Sequence, residues 1–252
     1  MQLIFALLMG VFIGGAAGYL GTLMLSQRMA LVAGPLGHLT LPGVALAFIF
    51  GFDVSLGAFP FVILGVIVIW LFEMKTGLPM EALTAIVFAS GVAITFLFLP
   101  EEQTVPALIG DVSQISLSVT AITLVLSLLI LLATKIIYSR MVLASISEDL
   151  AKVEGMDLKK DNLVYLVCIA LMVALGVRIV GSLMTAALVA IPACTSRNLS
   201  KTLVQYAYRG LIAGSLACSL GILGTNFTGI PVGPLIIIVS TLFFLISLIF
   251  KK

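Results

Sequence analysis

The residues able to ligate a cation or carry a proton are few, and one stands apart. His38 is the chain's only histidine, and it sits in an apolar segment that holds no charge between Arg28 and Asp53. Gly34, Pro35, Gly37, Pro42 and Gly43 bracket it. An ionisable group that deep in an apolar segment marks a functional site by default. A neutral imidazole ligates divalent first-row cations through a ring nitrogen. Proline has no N–H, so Pro35 and Pro42 each free a carbonyl one turn earlier, a hard oxygen donor in an apolar setting. The segment is therefore expected to be a helix bent or broken around His38. A helix-packing histidine bonded to a backbone carbonyl is the plain alternative.

Most other chemistry is excluded. No G-x-x-x-x-G-K-[ST] run and no Gly-Lys pair occurs, so no nucleotide is held in a P-loop. A single histidine rules out an H-E-x-x-H zinc site, and there is no G-x-S-x-G nucleophile elbow. No apolar segment carries a pair of carboxylates. Cys168, Cys194 and Cys218 lie in apolar segments without C-x-x-C spacing and read as small packing residues. Non-catalytic transport is the class left standing, with no cofactor bound by this chain.

The elements that must position His38 are membrane spans. The 252 residues are 62% hydrophobic and 10% charged, with a mean hydropathy of +1.29. A soluble domain carries about 25% charged residues. Apolar segments of roughly spanning length run over 3–26, 29–52, 57–72, 82–99, 115–138, 162–177, 179–196, 203–223 and 231–250, where ~20 residues cross the hydrocarbon. Arg178 divides the 162–196 region, which reads as two short spans or a hairpin with a re-entrant part. The expectation is an all-α, polytopic transmembrane helix bundle of about 8–9 spans, one permease-sized domain over 1–252. The first segment has no basic n-region and is too long for a cleavable signal. Its Gly10, Gly14 and Gly18, like Gly210, Gly214 and Cys218 later, stand four residues apart and let helices approach closely. Trp70 lies near a span end, as an interfacial aromatic does.

Charge sets the orientation. With the loop 139–161 on the cytoplasmic side, every Lys and Arg except Arg178 falls on that side, twelve of thirteen. The outer loops then carry Asp53, Glu101, Glu102 and Asp111. The amino terminus is outside and the carboxyl terminus cytoplasmic, in a cell (inner or plasma) membrane. His38 lies about 15 Å from the cytoplasmic start of its span at ~1.5 Å per residue, near mid-membrane. The net charge of +2 says nothing about a nucleic-acid partner, and none is expected; membrane lipid is the implied surround.

Three more stretches carry signals. In ISEDLAKVEGMDLKKDN, Ile146, Leu150 and Val153 fall at helical spacing, Ser147 is a suitable N-cap with acids in the first turn, and Gly155 is a suitable stop. This reads as a short amphipathic helix or as a solvated connector. In VGSLMTAALVAIPACTS, 180–196, small and bulky residues alternate before Pro192, which fits dense packing beside a pathway or an ordinary buried helix. In TNFTGIPVGP, 225–234, two glycines and two prolines predict irregular backbone before the last span.

In this order the stretches resemble the membrane permease subunit of the zinc/manganese/iron ABC importer family. RMALVAGPLGHLTLPGVALAF resembles the family's R-R-M-A-L-x-G-D-A-L-S-H-x-x-L-P-G-x-A-L. ALTAIVFASGVAI and LIGDVSQIS match its fourth-span pattern and its L-x-G-[ND]-[IL] element. VGSLMTAALVAIPACTSRNLS resembles V-G-x-L-L-V-x-A-L-L-I-I-P-A-A-T-A-R, and IPVGPLIII resembles D-x-P-x-G-P/A-x-I. The resemblance implies a homodimer or paired permease served by two ABC ATPase subunits, which hold the ATP, and by an extracytoplasmic solute-binding protein. It makes Glu148, Asp149, Ala151 and Gly155 the coupling helix that docks on the ATPase. It places His38, Gly34, Pro42, Gly229 and Pro231 along the substrate path, with His38 as the metal contact and a divalent metal as cargo. The family's acid one turn before the histidine aligns with Gly34, and its acid before P-x-G aligns with Gly229, so both carboxylates are absent. Two His38 imidazoles can meet across a dimer axis. The alternatives are a neutral chelate or small organic molecule as cargo, or a degenerate, non-transporting paralogue.

Overall fold

The computed structural model describes residues 2–29, 32–52, 54–98, 117–182 and 184–250. The acidic loop 100–114, Asp53 and the terminal Lys251 and Lys252 lie outside the described residues. Among the described residues there are eleven helices and no strand: α1 (Gln2–Ser26), α2 (Ala33–His38), α3 (Leu41–Phe50), α4 (Val54–Thr76), α5 (Met80–Phe98), α6 (Leu117–Ile146), α7 (Glu148–Val153), α8 (Leu158–Val180), α9 (Thr185–Leu199), α10 (Leu203–Thr228) and α11 (Val232–Ile249). The protein is a helical membrane bundle. Six of these helices, α1, α4, α6, α8, α10 and α11, have the length and apolar character to cross a membrane.

Glycine sets how closely the helices meet. α1 lies most extensively against α10. A Cβ on Gly14 would stand 2.4 Å from the Gly214 carbonyl oxygen, and one on Gly18 only 2.0 Å from that of Gly210. No side chain fits between these backbones, so the two glycine stripes seen in the sequence are one seam. In lipid, apolar burial does not drive association, and close backbone packing of this kind does. Hydrogen bonds between helices add to it: Thr22 and Tyr138 hydroxyls lie 2.9 Å apart, and the Gln27 amide donates to the Met141 carbonyl at 2.7 Å.

α1 and α8 are the most buried spans and form the centre. Around them, α4 and α6 pack on α8, and α9 and α10 pack on α1. The expected division of the 162–196 region is found, but not at Arg178. α8 runs straight through it, with Arg178 in the last turn, where a cation suits the helix dipole. The helix ends at Gly181, whose φ of +81° is glycine territory. α6 likewise runs to Ile146, beyond the expected end at 138, because no breaker stands in between.

The loop helix is α7. Ser147 caps it, accepting from the Leu150 N–H at 3.3 Å, and Glu148 pairs with Lys152 at 3.3 Å. It closes as a Schellman motif: Gly155 N–H donates to the Lys152 carbonyl and Met156 N–H to that of Ala151, with Gly155 at φ +73°. At its base, Arg140 of α6 pairs with the buried Asp161 of α8 at 3.6 Å. Asn162 donates to Glu73, at the end of α4, at 3.3 Å.

Candidate permeation site

The segment around His38 is broken. α2 stops at His38, Leu39 and Thr40 form a turn, and α3 begins at Leu41. Pro42 marks the break, since it has no N–H to offer the His38 carbonyl one turn back. The turn is held from within: the Thr40 hydroxyl donates to the Gly37 carbonyl at 2.6 Å, and the Leu39 N–H reaches the Pro35 carbonyl at 3.2 Å.

Neighbouring helices grip this turn on two sides. Leu39 wedges between α4 and α5, where a Cβ on Gly65 or Gly91 would meet its methyl groups at 2.6 and 2.7 Å. A second glycine crossing fixes α3 on α4, because a Cβ on Gly43 would strike the Gly57 carbonyl. On the other side, α2 lies against the bend between α8 and α9. A Cβ on Gly37 would stand 2.8 Å from the Ser182 carbonyl oxygen, and one on Gly34 would stand 3.3 Å from the Ala186 methyl. Thr185 holds that bend by donating to the Gly181 carbonyl at 2.7 Å. Two interruptions of regular helix, the turn at Leu39–Thr40 and the bend at Gly181–Ser182, thus approach each other inside the bundle. Non-helical backbone at membrane depth is tolerated where it is buried in protein or lines a cavity.

His38 is half-buried at this meeting point, its ring 5.5 Å from that of Phe88 on α5. Gly34 and Pro42 share its segment. Gly229 and Pro231 do not join them. Gly229 caps α10 at φ +69° and Pro231 caps α11; both are exposed, with open space around Gly229. Their helices pack on α1 and α9. The sequence therefore indicated His38 and the break, but not Leu39, Phe88 or Ser182. Gly65 and Gly91, standing alone inside apolar runs, were the one signal for the Leu39 wedge.

On α7 the residues divide. Glu148, Asp149 and Gly155 are exposed, whereas Ala151 is fully buried beneath the helix. The apolar stripe Ile146, Leu150 and Val153 faces away from the bundle, with 78%, 48% and 84% exposure.

Comparison with known proteins bears on the whole chain. The model of the ABC 3 transport family matches residues 1–251. The high-affinity zinc uptake system membrane protein ZnuB of Haemophilus influenzae is 28% identical over 98% of this chain and 96% of the relative. The manganese import system permease protein ScaB of Streptococcus gordonii is 26% identical over 96% of this chain and 88% of its own length. Among solved structures, PsaBC from Streptococcus pneumoniae in complex with Fab superposes with a TM-score of 0.83 at 25% identity, covering 98% of this chain and 91% of that one.

Proposed function

The chain belongs to the ABC 3 transport family, and from that premise we propose that it is the membrane-spanning permease subunit of an ATP-driven importer of divalent metal ions such as zinc, manganese or iron. The observation that carries the reading is the junction of two helix breaks around the chain's one imidazole. Its relatives are named as zinc and manganese uptake permeases. The chain is not an enzyme, and ATP binds to separate ABC ATPase subunits.

Those subunits dock on the cytoplasmic face through α7 and its flanks, by the bare side chains of Ile146 at the end of α6 and of Leu150 and Val153, and by the exposed Glu148, Asp149 and, just past the helix, Gly155. Ala151 seats α7 on the bundle. Motion of α7 reaches α8 through the short linker 154–157 and through the Arg140–Asp161 pair. The far end of α8 is the bend at Gly181–Ser182, which touches α2 at Gly37. ATP-driven closure of the ATPases is thereby converted into movement at His38, which alternates access between the two sides. A second copy of the permease completes a dimer, and an extracytoplasmic binding protein delivers the ion near Gly229 and Pro231. The carboxyl terminus is cytoplasmic, in keeping with the positive-inside bias.

His38 supplies a neutral nitrogen donor, and the carbonyl freed by Pro42 supplies an oxygen. A weak transit site of this kind suits a permease, where tight binding would slow release. Uptake of radioactive zinc or manganese by cells carrying the whole importer tests this. His38→Ala should lower uptake while the ATPase still co-purifies; unchanged uptake removes His38 from the path. Loss of ATPase co-purification from a protein with intact α7 would sink the permease reading itself. One observation favours a neutral chelate as cargo instead: among the described residues no three His, Cys, Asp or Glu side chains converge. In that case a chelate in excess competes with uptake and the free ion does not.

A further inference from the structure

Beyond Asp161 the chain carries six Lys and Arg and not one Asp or Glu. Arg197 on α9, Lys201 on the linker and Arg209 on α10 are therefore cations for which their own part of the sequence provides no counter-charge. One of these, Arg209, stands at the rim of a cavity of about 340 Å³ between α9, α10 and α11. Its guanidinium donates to the Leu199 carbonyl, at the end of α9, and an Arg has four further N–H groups to offer. Exposed Lys201 lies on the adjoining linker.

The cavity has a direction. Arg209 and Phe250 mark the end where α9 and α11 finish and α10 begins. From there the walls are mostly apolar, with Ile212, Leu216, Phe243 and Ile246 beside the two hydroxyls of Thr195 and Ser247. Arg209 and Leu216 are seven residues apart on one helix, so the groove runs ~10 Å into the span. A cation at the watery end and an apolar trough behind it match an amphiphile with an anionic head and an acyl tail. Basic pockets between spanning helices at a membrane face bind acidic lipid headgroups. A second copy of this chain fits poorly, because meeting through the same face would set Arg209 against Arg209 and add no acid.

We propose that this groove is a binding site for an anionic phospholipid, its phosphate on Arg209 and Lys201 and one acyl chain along α10 and α11. The site is separate from the His38 junction and does not depend on the transport reading.

The purified full chain in detergent, titrated with phosphatidylglycerol or phosphatidylcholine and read by native mass spectrometry, tests it. The wild type should retain phosphatidylglycerol preferentially. Arg209→Gln should lower that preference about fivefold, the weight of one basic side chain near a membrane surface. Arg209→Lys should keep most of it, which separates charge from the tie to Leu199. Ala213→Phe, which fills the groove, should reduce retention of both lipids. Inorganic phosphate at millimolar concentration should not displace the lipid. Equal retention of the two lipids by the wild type overturns the proposal. So does displacement by phosphate alone, which would make this an anion site without a tail. Disulfide crosslinking of Ile246→Cys between two copies, with no lipid retained, would assign the groove to a dimer contact and overturn it too.

Discussion

The contact between Gly37 and the Ser182 carbonyl can be tested with a single methyl group. In Gly37→Ala the new Cβ starts 2.8 Å from that oxygen, while ordinary contact begins near 3.4 Å, so about 0.6 Å must be found. The obstacle is backbone, not the end of a flexible side chain. It belongs to a bend fixed by the Thr185–Gly181 hydrogen bond at 2.7 Å and by the Gly181 N–H donating to the Val177 carbonyl at 2.9 Å. Overpacking of this kind costs about 1–3 kcal/mol. Gly34→Ala, one turn earlier on the same helix, is the internal control. Its Cβ would lie 3.3 Å from the Ala186 methyl, a tenth of an ångström short of ordinary contact. The gain in helix propensity, about 1 kcal/mol, then dominates. Gly34→Ala should melt at or above the wild-type temperature and keep metal uptake; Gly37→Ala should melt lower and lose uptake. Thermal unfolding of the purified protein and uptake by cells expressing the importer read the two effects. Equal behaviour of the two variants in both measurements would refute the meeting of the two helix breaks.

Three further predictions follow from other elements. Gly18→Ala drives a Cβ into the Gly210 carbonyl at 2.0 Å and should destabilise the α1–α10 seam by about 3 kcal/mol, seen as a lower unfolding temperature in detergent. Ser147→Ala removes the cap of α7, costs about 1 kcal/mol of local helix stability, and should weaken ATPase co-purification without changing the melting of the bundle. Asp157 caps α8, and the side-chain hydrogen bond from Lys160 holds its carboxyl below the usual aspartate range. The group's contribution is therefore present at neutral pH and is lost as pH falls through that lowered value. Protection of the first-turn amides of α8, taken relative to their intrinsic exchange rate at each pH, should fall on acidification in the wild type and be already low at pH 7 in Asp157→Ala.

What the sequence made legible was decided by which signals act locally. Pro42 removes one helical hydrogen bond and suits the first turn of α3, and the turn at Leu39–Thr40 precedes it; Pro60 and Pro192 stand inside continuous helices, so proline marks the break without alone deciding it. Ser147, Gly155 and the acids between them specify a cap, a stop and a first turn within nine residues, and α7 forms with them. Charge was the misleading signal. Arg178 looked like a divide between spans, yet an arginine at a helix C-terminus is favoured by the dipole, and α8 continues past it to Gly181, where the backbone turns positive in φ. Orientation by loop charge does not reveal which helices touch. Nothing near Asn162 announces Glu73, and nothing near Gly37 announces Ser182; these pairings exist because α8 spans the bundle from the α7 loop to the bend at Gly181–Ser182. The same reasoning bears on the two missing acids. Gly229 faces open space at an exposed cap, so a side chain there would meet no steric obstacle, only the strain of φ +69°. Gly34 is different, because its Cβ would point at Ala186 on α9. A carboxylate at that position would have to find room between two helices that glycine allows to close. An aspartate there would need α2 to stand farther from α9, whereas the single methyl of Gly34→Ala asks for only about a tenth of an ångström.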